Sequence, residues 1–276
     1  MTIDSHVHFW KYDPVRDSWI NDEMKVLKQD YLPVHFESIA RRNGIDGVVA
    51  VQVDQSEVEN HFMIELAKTN PWIKGIVGWI DLRSDALNER LEYFSQYPII
   101  KGWRHIVQSE ADDFLLRKDF REGVSRIHQA GYTYDILIYH RQLPAAVDFI
   151  QHLPDQKLII DHCAKPDIGT GEMKEWKRIM REIAQNKNIY CKVSGLFTEA
   201  KWKSWSAADF YPYLDVVFEA FGTKRTVFGS DWPVILLSGI YVQWKSLLEK
   251  YLENTPQEEK EDFFGKNAME FYSLPE

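Results

Sequence analysis

The sequence predicts an α/β protein folded as a (β/α)8, or TIM, barrel, and three observations predict it. About eight short apolar segments rich in β-branched residues recur along the chain, with helical patterns between nearly all of them. These segments are apolar along their whole length rather than alternating, as strands are when both faces are covered. Polar and ionisable residues collect where the segments end, and in a closed barrel those ends open on one face. A length of 276 residues accommodates eight such units, so one domain is expected over residues 1–276.

The elements follow in order. A strand over 2–8 leads into a long polar stretch through residue 32, and a helical pattern over 34–43 then ends at Gly44, a suitable helix C-cap. Strand two, 47–53, is dominated by valine and precedes a helix over 56–69 that stops before Asn70-Pro71. Strands at 73–80 and 99–105 alternate with helices around 84–96 and 118–129, the second closed by Gly131. Strands at 134–140, 157–162, 189–194 and 225–231 follow, with helices around 143–152, 171–186, 207–221, 240–253 and 257–271. No glycine-rich phosphate loop follows the first strand, which argues against a dinucleotide-binding open sheet.

Composition narrows the partners. A net charge of −9 argues against general binding to nucleic acid or to anionic membranes. No apolar run approaches the roughly 20 residues that span a bilayer. Asp4, His6 and His8 interrupt any signal-peptide pattern, so the cytoplasm is the expected compartment. The two cysteines, Cys163 and Cys191, read as small buried thiols and are too few for a disulfide framework or a cysteine zinc site. Ten tryptophans suit either a pocket walled by aromatic faces or an aromatic core.

The strand ends carry the candidate chemistry. His6 and His8 share one face of strand one, because strand side chains alternate, and there they can grip a metal or a polar substrate. Strand two ends near Gln52 and Asp54, strand four in Arg104 and His105, strand five in His140, strand six in Asp161 and His162, and strand eight in Asp231. Gln52 and Asp54 suit a structural role as well as a functional one, Asp54 as a helix cap and Arg104 as an ion-pair partner. Alternation directs Asp161 away from the mouth if His162 points in. Asp231 sits in Gly229-Ser230-Asp231-Trp232-Pro233, where glycine permits close approach and proline stops the strand. His35, His61, His128 and His152 fall in helices or linkers, where a surface position is expected.

Taken together, Asp4-Ser5-His6-Val7-His8-Phe9-Trp10, Gly102-Trp103-Arg104-His105, His140, Asp161-His162-Cys163-Ala164-Lys165-Pro166 and Gly229-Ser230-Asp231-Trp232-Pro233 resemble the amidohydrolase superfamily. The resemblance covers essentially the whole chain and is nearest to the amidohydrolase-2 branch, the group of L-fucono- and L-rhamnonolactonases. It implies metal-ligand positions at His6, His8, His140 and Asp231, with His162 close by. Such a set suits one divalent ion such as zinc with an open position for water. Many two-metal members carry a bridging lysine at the end of strand four. This chain has Arg104 and His105 there, and a guanidinium cannot bridge metals, so a two-metal site is not expected. Members of the branch differ in their need for a metal, so metal-independent activity remains the alternative.

The implied reaction is opening of a small-molecule sugar-acid lactone in carbohydrate catabolism. Asp231 would be the general base and later the proton donor, with Arg104, His140 and His162 polarising the carbonyl or holding hydroxyls. His105 and Gln52 are further candidates for substrate contact. Trp10, Trp79, Trp103 and Trp232 either face the sugar ring or pack. The competing readings are a metal-dependent decarboxylase or C–C hydrolase of the same superfamily, and a barrel that only binds a sugar acid. The sequence carries no signal for an oligomeric state.

Overall fold

The computed structural model describes residues 1–275, and its strands form one eight-stranded parallel sheet ordered as they occur in the chain. They are β1 (Ile3–Val7), β2 (Gly47–Val51), β3 (Ile73–Gly78), β4 (Ile100–His105), β5 (Thr133–Ile136), β6 (Leu158–Ile160), β7 (Ile189–Val193) and β8 (Thr226–Phe228). Residues just after β8 close the ring against β1. Asp231 N–H donates to the His6 carbonyl at 2.9 Å and His8 N–H to the Trp232 carbonyl at 2.7 Å. The result is a (β/α)8 barrel.

Helices α1 (Pro33–Arg42), α2 (Glu57–Thr69), α3 (Leu87–Ser95), α4 (Lys118–Gln129), α5 (Leu143–Gln151) and α6 (Lys174–Ile183) fill the connections in the first six units. After β7 come a single turn, α7 (Leu196–Glu199), and the long α8 (Ala207–Phe221); α9 (Tyr241–Tyr251) follows β8. Local chemistry sets their limits. Pro33 occupies the first turn of α1, where no N–H is needed, and Gly44 beyond its end has φ +65°. In α6, Trp176, Ile179, Met180 and Ile183 recur at helical spacing and are the residues it buries.

The apolar interior has two parts. The larger lies between strands and helices, as parallel sheets require. The smaller lies inside the barrel at its N-terminal end, where Ile3, Val49, Val51, Val77, Ile159 and Val227 meet Phe271, Tyr272 and Leu274. The segment that plugs this floor runs from α10 (Gln257–Glu261) through a π-helical turn (Asp262–Lys266) into α11 (Asn267–Phe271).

Most strands stop earlier than their apolar patterns suggest, and at three of them the difference moves a candidate site residue off the strand. β5 ends at Ile136 rather than 140, β6 at Ile160 rather than 162, and β8 at Phe228 rather than 231. At each point the chain turns into the mouth. After β6 the turn is extreme, since His162, Cys163, Ala164 and Lys165 all have φ between 46° and 58°. Consecutive non-glycine residues in this region are strained, and such strain persists only where the surroundings over-determine it.

Candidate active site

The site is assembled from the two ends of the sheet that meet. β1 slips register between Asp4 and Val7, and the buried Asp4 carboxylate fixes the slip. It accepts the backbone N–H of His6 at 3.2 Å, that of Ser230 at 2.9 Å and the Tyr241 hydroxyl at 3.0 Å. Burial nevertheless lifts its pKa to about 6.

Three donor atoms then converge. His8 Nε2 lies 3.2 Å from His6 Nε2 and 3.2 Å from Asp231 Oδ1, and His6 Nε2 lies 3.8 Å from the same oxygen. A tetrahedral ion with ligand bonds of about 2.0–2.1 Å places its ligands about 3.3 Å apart, so these separations fit one zinc-like ion. The protonation pattern agrees. His8 Nδ1 faces the Val51 carbonyl at 2.7 Å, and a carbonyl only accepts. Neutral His8 therefore carries its proton on Nδ1 and turns the Nε2 lone pair toward Asp231, leaving two acceptors in contact that call for a cation.

Below this set lies a buried charge network. Asp161 pairs with Arg104 Nη1 at 3.0 Å, with Lys192 Nζ at 2.9 Å and with His6 Nδ1 at 3.5 Å. Lys192 also donates to Asp135 at 2.7 Å, and Asp135 accepts the Tyr272 hydroxyl from the floor at 2.7 Å. Burial raises the Asp161 carboxyl, but Lys192, His6 and Arg104 outweigh it and hold it well below the ordinary carboxylate range. Burial dominates at His6, lowering its pKa well below the usual imidazole value. Gln52 fixes Arg104. Arg104 Nη2 donates to the Gln52 carbonyl, and Gln52 Nε2 donates to the Arg104 carbonyl at 3.1 Å.

His162 completes the wall. Its Nδ1 meets Ser194 Oγ at 2.8 Å, its Nε2 is 3.9 Å from Asp231 Oδ1, and burial lowers its pKa to about 4. Gly195, at φ +66°, makes room for the ring, since a Cβ there would sit 2.5 Å from His162 Nδ1. Asp231 has φ +61°. Burial raises its carboxyl, yet His162, His8 and His6 outweigh burial and keep it ionised.

The other expected positions fall elsewhere. His140 is exposed beyond β5, with Nδ1 3.0 Å from the Lys165 carbonyl, and does not join His6, His8 and Asp231. His105 alternates with the inward Arg104 and so faces outward; it pairs with Glu110 at 2.8 Å and stacks on Phe114 at 5.0 Å. Half-buried Trp79 donates to His105 at 3.4 Å. Trp10 and Trp232 are buried in an aromatic layer, Trp10 5.2 Å from Tyr31 and Trp232 4.8 Å from Phe36, and Trp103 packs 5.4 Å from Phe94. Half-buried Asp54 gives its N–H to Glu59 at 2.6 Å. The expectation that Asp161 points away from the mouth when His162 points in is corrected. The strand ends at Ile160, so strand alternation no longer relates the two, and both side chains reach the His6 cluster.

Lys192, Asp135 and Tyr272 were not singled out by the sequence reading. A signal existed, because a lysine and an aspartate inside strands buried on both faces must find partners within the barrel.

This architecture and its polar mouth define a member of a known class. The amidohydrolase (Amidohydro_2) family model matches residues 3–274, and the chain belongs to that family. It is 35% identical to an L-fucono-1,5-lactonase of Burkholderia multivorans, covering 100% of this chain and 97% of that one. A second L-fucono-1,5-lactonase, from Burkholderia ambifaria, is 30% identical over 99% of this chain and 95% of its own. A crystal structure of an amidohydrolase from Burkholderia multivorans with bound zinc superposes with a TM-score of 0.96 at 36% identity, covering 100% of both chains.

Proposed function

We propose that this enzyme hydrolyses a sugar-acid (aldono) lactone to the free acid. The observation that carries the reading is the Asp231 carboxylate, held ionised among three imidazoles at the mouth of a barrel similar over its whole length to two L-fucono-1,5-lactonases. Asp231 takes a proton from the attacking water and returns it to the ring oxygen as the lactone opens. Neutral His162 faces the oxyanion that develops on the carbonyl, while the Arg104 guanidinium, bonded to Asp161 and Gln52 below, contributes its positive charge from beneath. A lactone is an activated ester, so a base of low proton affinity suffices. A divalent ion held by His6, His8 and Asp231 supplies Lewis acidity and lowers the pKa of bound water when present. His140, at the edge of the mouth, contacts substrate rather than metal.

A decarboxylase or C–C hydrolase acting on an aromatic acid needs a flat apolar slot. The groups around Asp231 are imidazoles, Arg104 and, further out, Lys165 and Glu199, which suit hydroxyls instead. The reading takes residues 1–276 as one catalytic domain. No helix among the described residues is long and apolar enough to cross a membrane, and the buried free thiols Cys163 and Cys191 suit the cytoplasm. The test is a pH-indicator screen of aldono-lactones with and without added zinc. Acid release from hydroxylated lactones is expected; none from any of them removes the reading.

A further inference from the structure

Outside the catalytic cluster, the mouth carries one ion pair that the reaction as described does not use. Lys165 Nζ and Glu199 Oε1 stand 4.0 Å apart, with side chains only 14% and 16% exposed. Lys165 ends the left-handed run that begins at His162, and Glu199 ends α7. Both therefore hang from segments that also place catalytic groups: His162 on one, Gly195 beside it on the other. Each is held at one side only. The Lys165 ammonium lies 5.1 Å from the centre of the Tyr139 ring, whose other neighbour is Arg141 at 4.7 Å. Glu199 Oε1 accepts the Thr198 hydroxyl at 3.3 Å, while Oε2 has no hydrogen-bond partner among the described residues.

A direct ammonium–carboxylate hydrogen bond closes to about 2.7–2.9 Å, so a 4.0 Å separation leaves this pair unclosed. A hydroxyl oxygen, which donates one hydrogen bond and accepts others, fits such a gap at about 2.8 Å from each partner. Asp231 lies close enough to Glu199 to raise its carboxyl electrostatically, so the pair stands at the same mouth as Asp231. Burial without a closed partner is costly for a carboxylate, and a bound hydroxyl offsets that cost.

We propose that Glu199 and Lys165 are the specificity-determining residues of this site, bracketing a ring hydroxyl of the lactone between carboxylate and ammonium. This rests on the lactonase reading above. It makes the enzyme discriminate between hydroxylated and bare lactone rings, because only a hydroxyl satisfies both partners.

The test compares kcat/KM on the best hydroxylated 1,5-lactone with kcat/KM on δ-valerolactone, which has the same ring without hydroxyls. In E199Q and in K165M the ratio of the two falls at least tenfold, chiefly through KM for the hydroxylated substrate. An unchanged ratio in both variants, whether activity is kept or lost equally on the two substrates, overturns the inference and leaves the lactonase reading standing. A wild-type enzyme that hydrolyses neither lactone removes that reading, and the inference with it.

Discussion

His8 Nε2 faces Asp231 Oδ1 at 3.2 Å, while the other nitrogen of the same ring is committed to the Val51 carbonyl at 2.7 Å. Two acceptors are thereby pressed together, with His6 Nε2 beside them. The arrangement is stable only with a cation among them, either a proton or a metal ion.

The metal is tested by binding rather than turnover. Titrating zinc into chelator-treated protein is expected to give one ion per chain by calorimetry. H8A should weaken that binding at least about a hundredfold, more than outer-shell changes do. Equal zinc affinity in H8A and wild type would place the ion elsewhere.

Asp231 carries the proton transfers. D231N keeps the shape of the side chain and removes its basicity, so kcat should fall about a thousandfold with an unchanged melting profile. Near-wild-type turnover would remove Asp231 from the chemistry.

Lys192 holds two buried carboxylates. K192M leaves Asp135 and Asp161 buried without their shared cation, which should cost about 3–5 kcal/mol of stability. Urea unfolding measures this, and adding D135N to K192M should recover part of the loss. A cost below about 1 kcal/mol would mean the network does not stabilise the barrel.

Glu59 gives the fold a pH dependence. It is buried at the start of α2, against the turn after β2, and accepts the N–H groups of Val53 and Asp54 at 2.9 and 2.6 Å, yet burial raises its pKa to about 8. The native state then binds a proton that the unfolded chain releases near the ordinary glutamate value of 4.5. Stability from this group is full below that value and is lost as pH rises toward 8, at up to about 1.4 kcal/mol per pH unit. Unfolding curves across this range for wild type and E59Q should differ by that slope. Parallel curves would show that Glu59 is ionised throughout.

Much of this was legible in the sequence, and two of the failures share a cause. The strands and helices followed from apolar runs and their punctuation, and His6, His8, Arg104, His162 and Asp231 from their places at strand ends. His140 and Asp161 went astray because both readings assumed that the strand pattern continues to the polar residue. Ile136 and Ile160 are the actual ends, and beyond them backbone turns decide direction. Lys192 was hidden differently. Its partners come from elsewhere in the ring, Asp135 on β5 and Asp161 just beyond β6, and only closure of the ring brings them within reach.

The floor of the barrel has a consequence for the order of assembly. The Tyr272 hydroxyl that completes the Asp135–Lys192 pair comes from a segment made after all eight strands. A newly synthesised barrel lacking that segment has its inner charges open to water from below. Docking of α11 and of Tyr272 just beyond it covers these charges from below, so a segment made after all the strands supports the groups on which His6 rests.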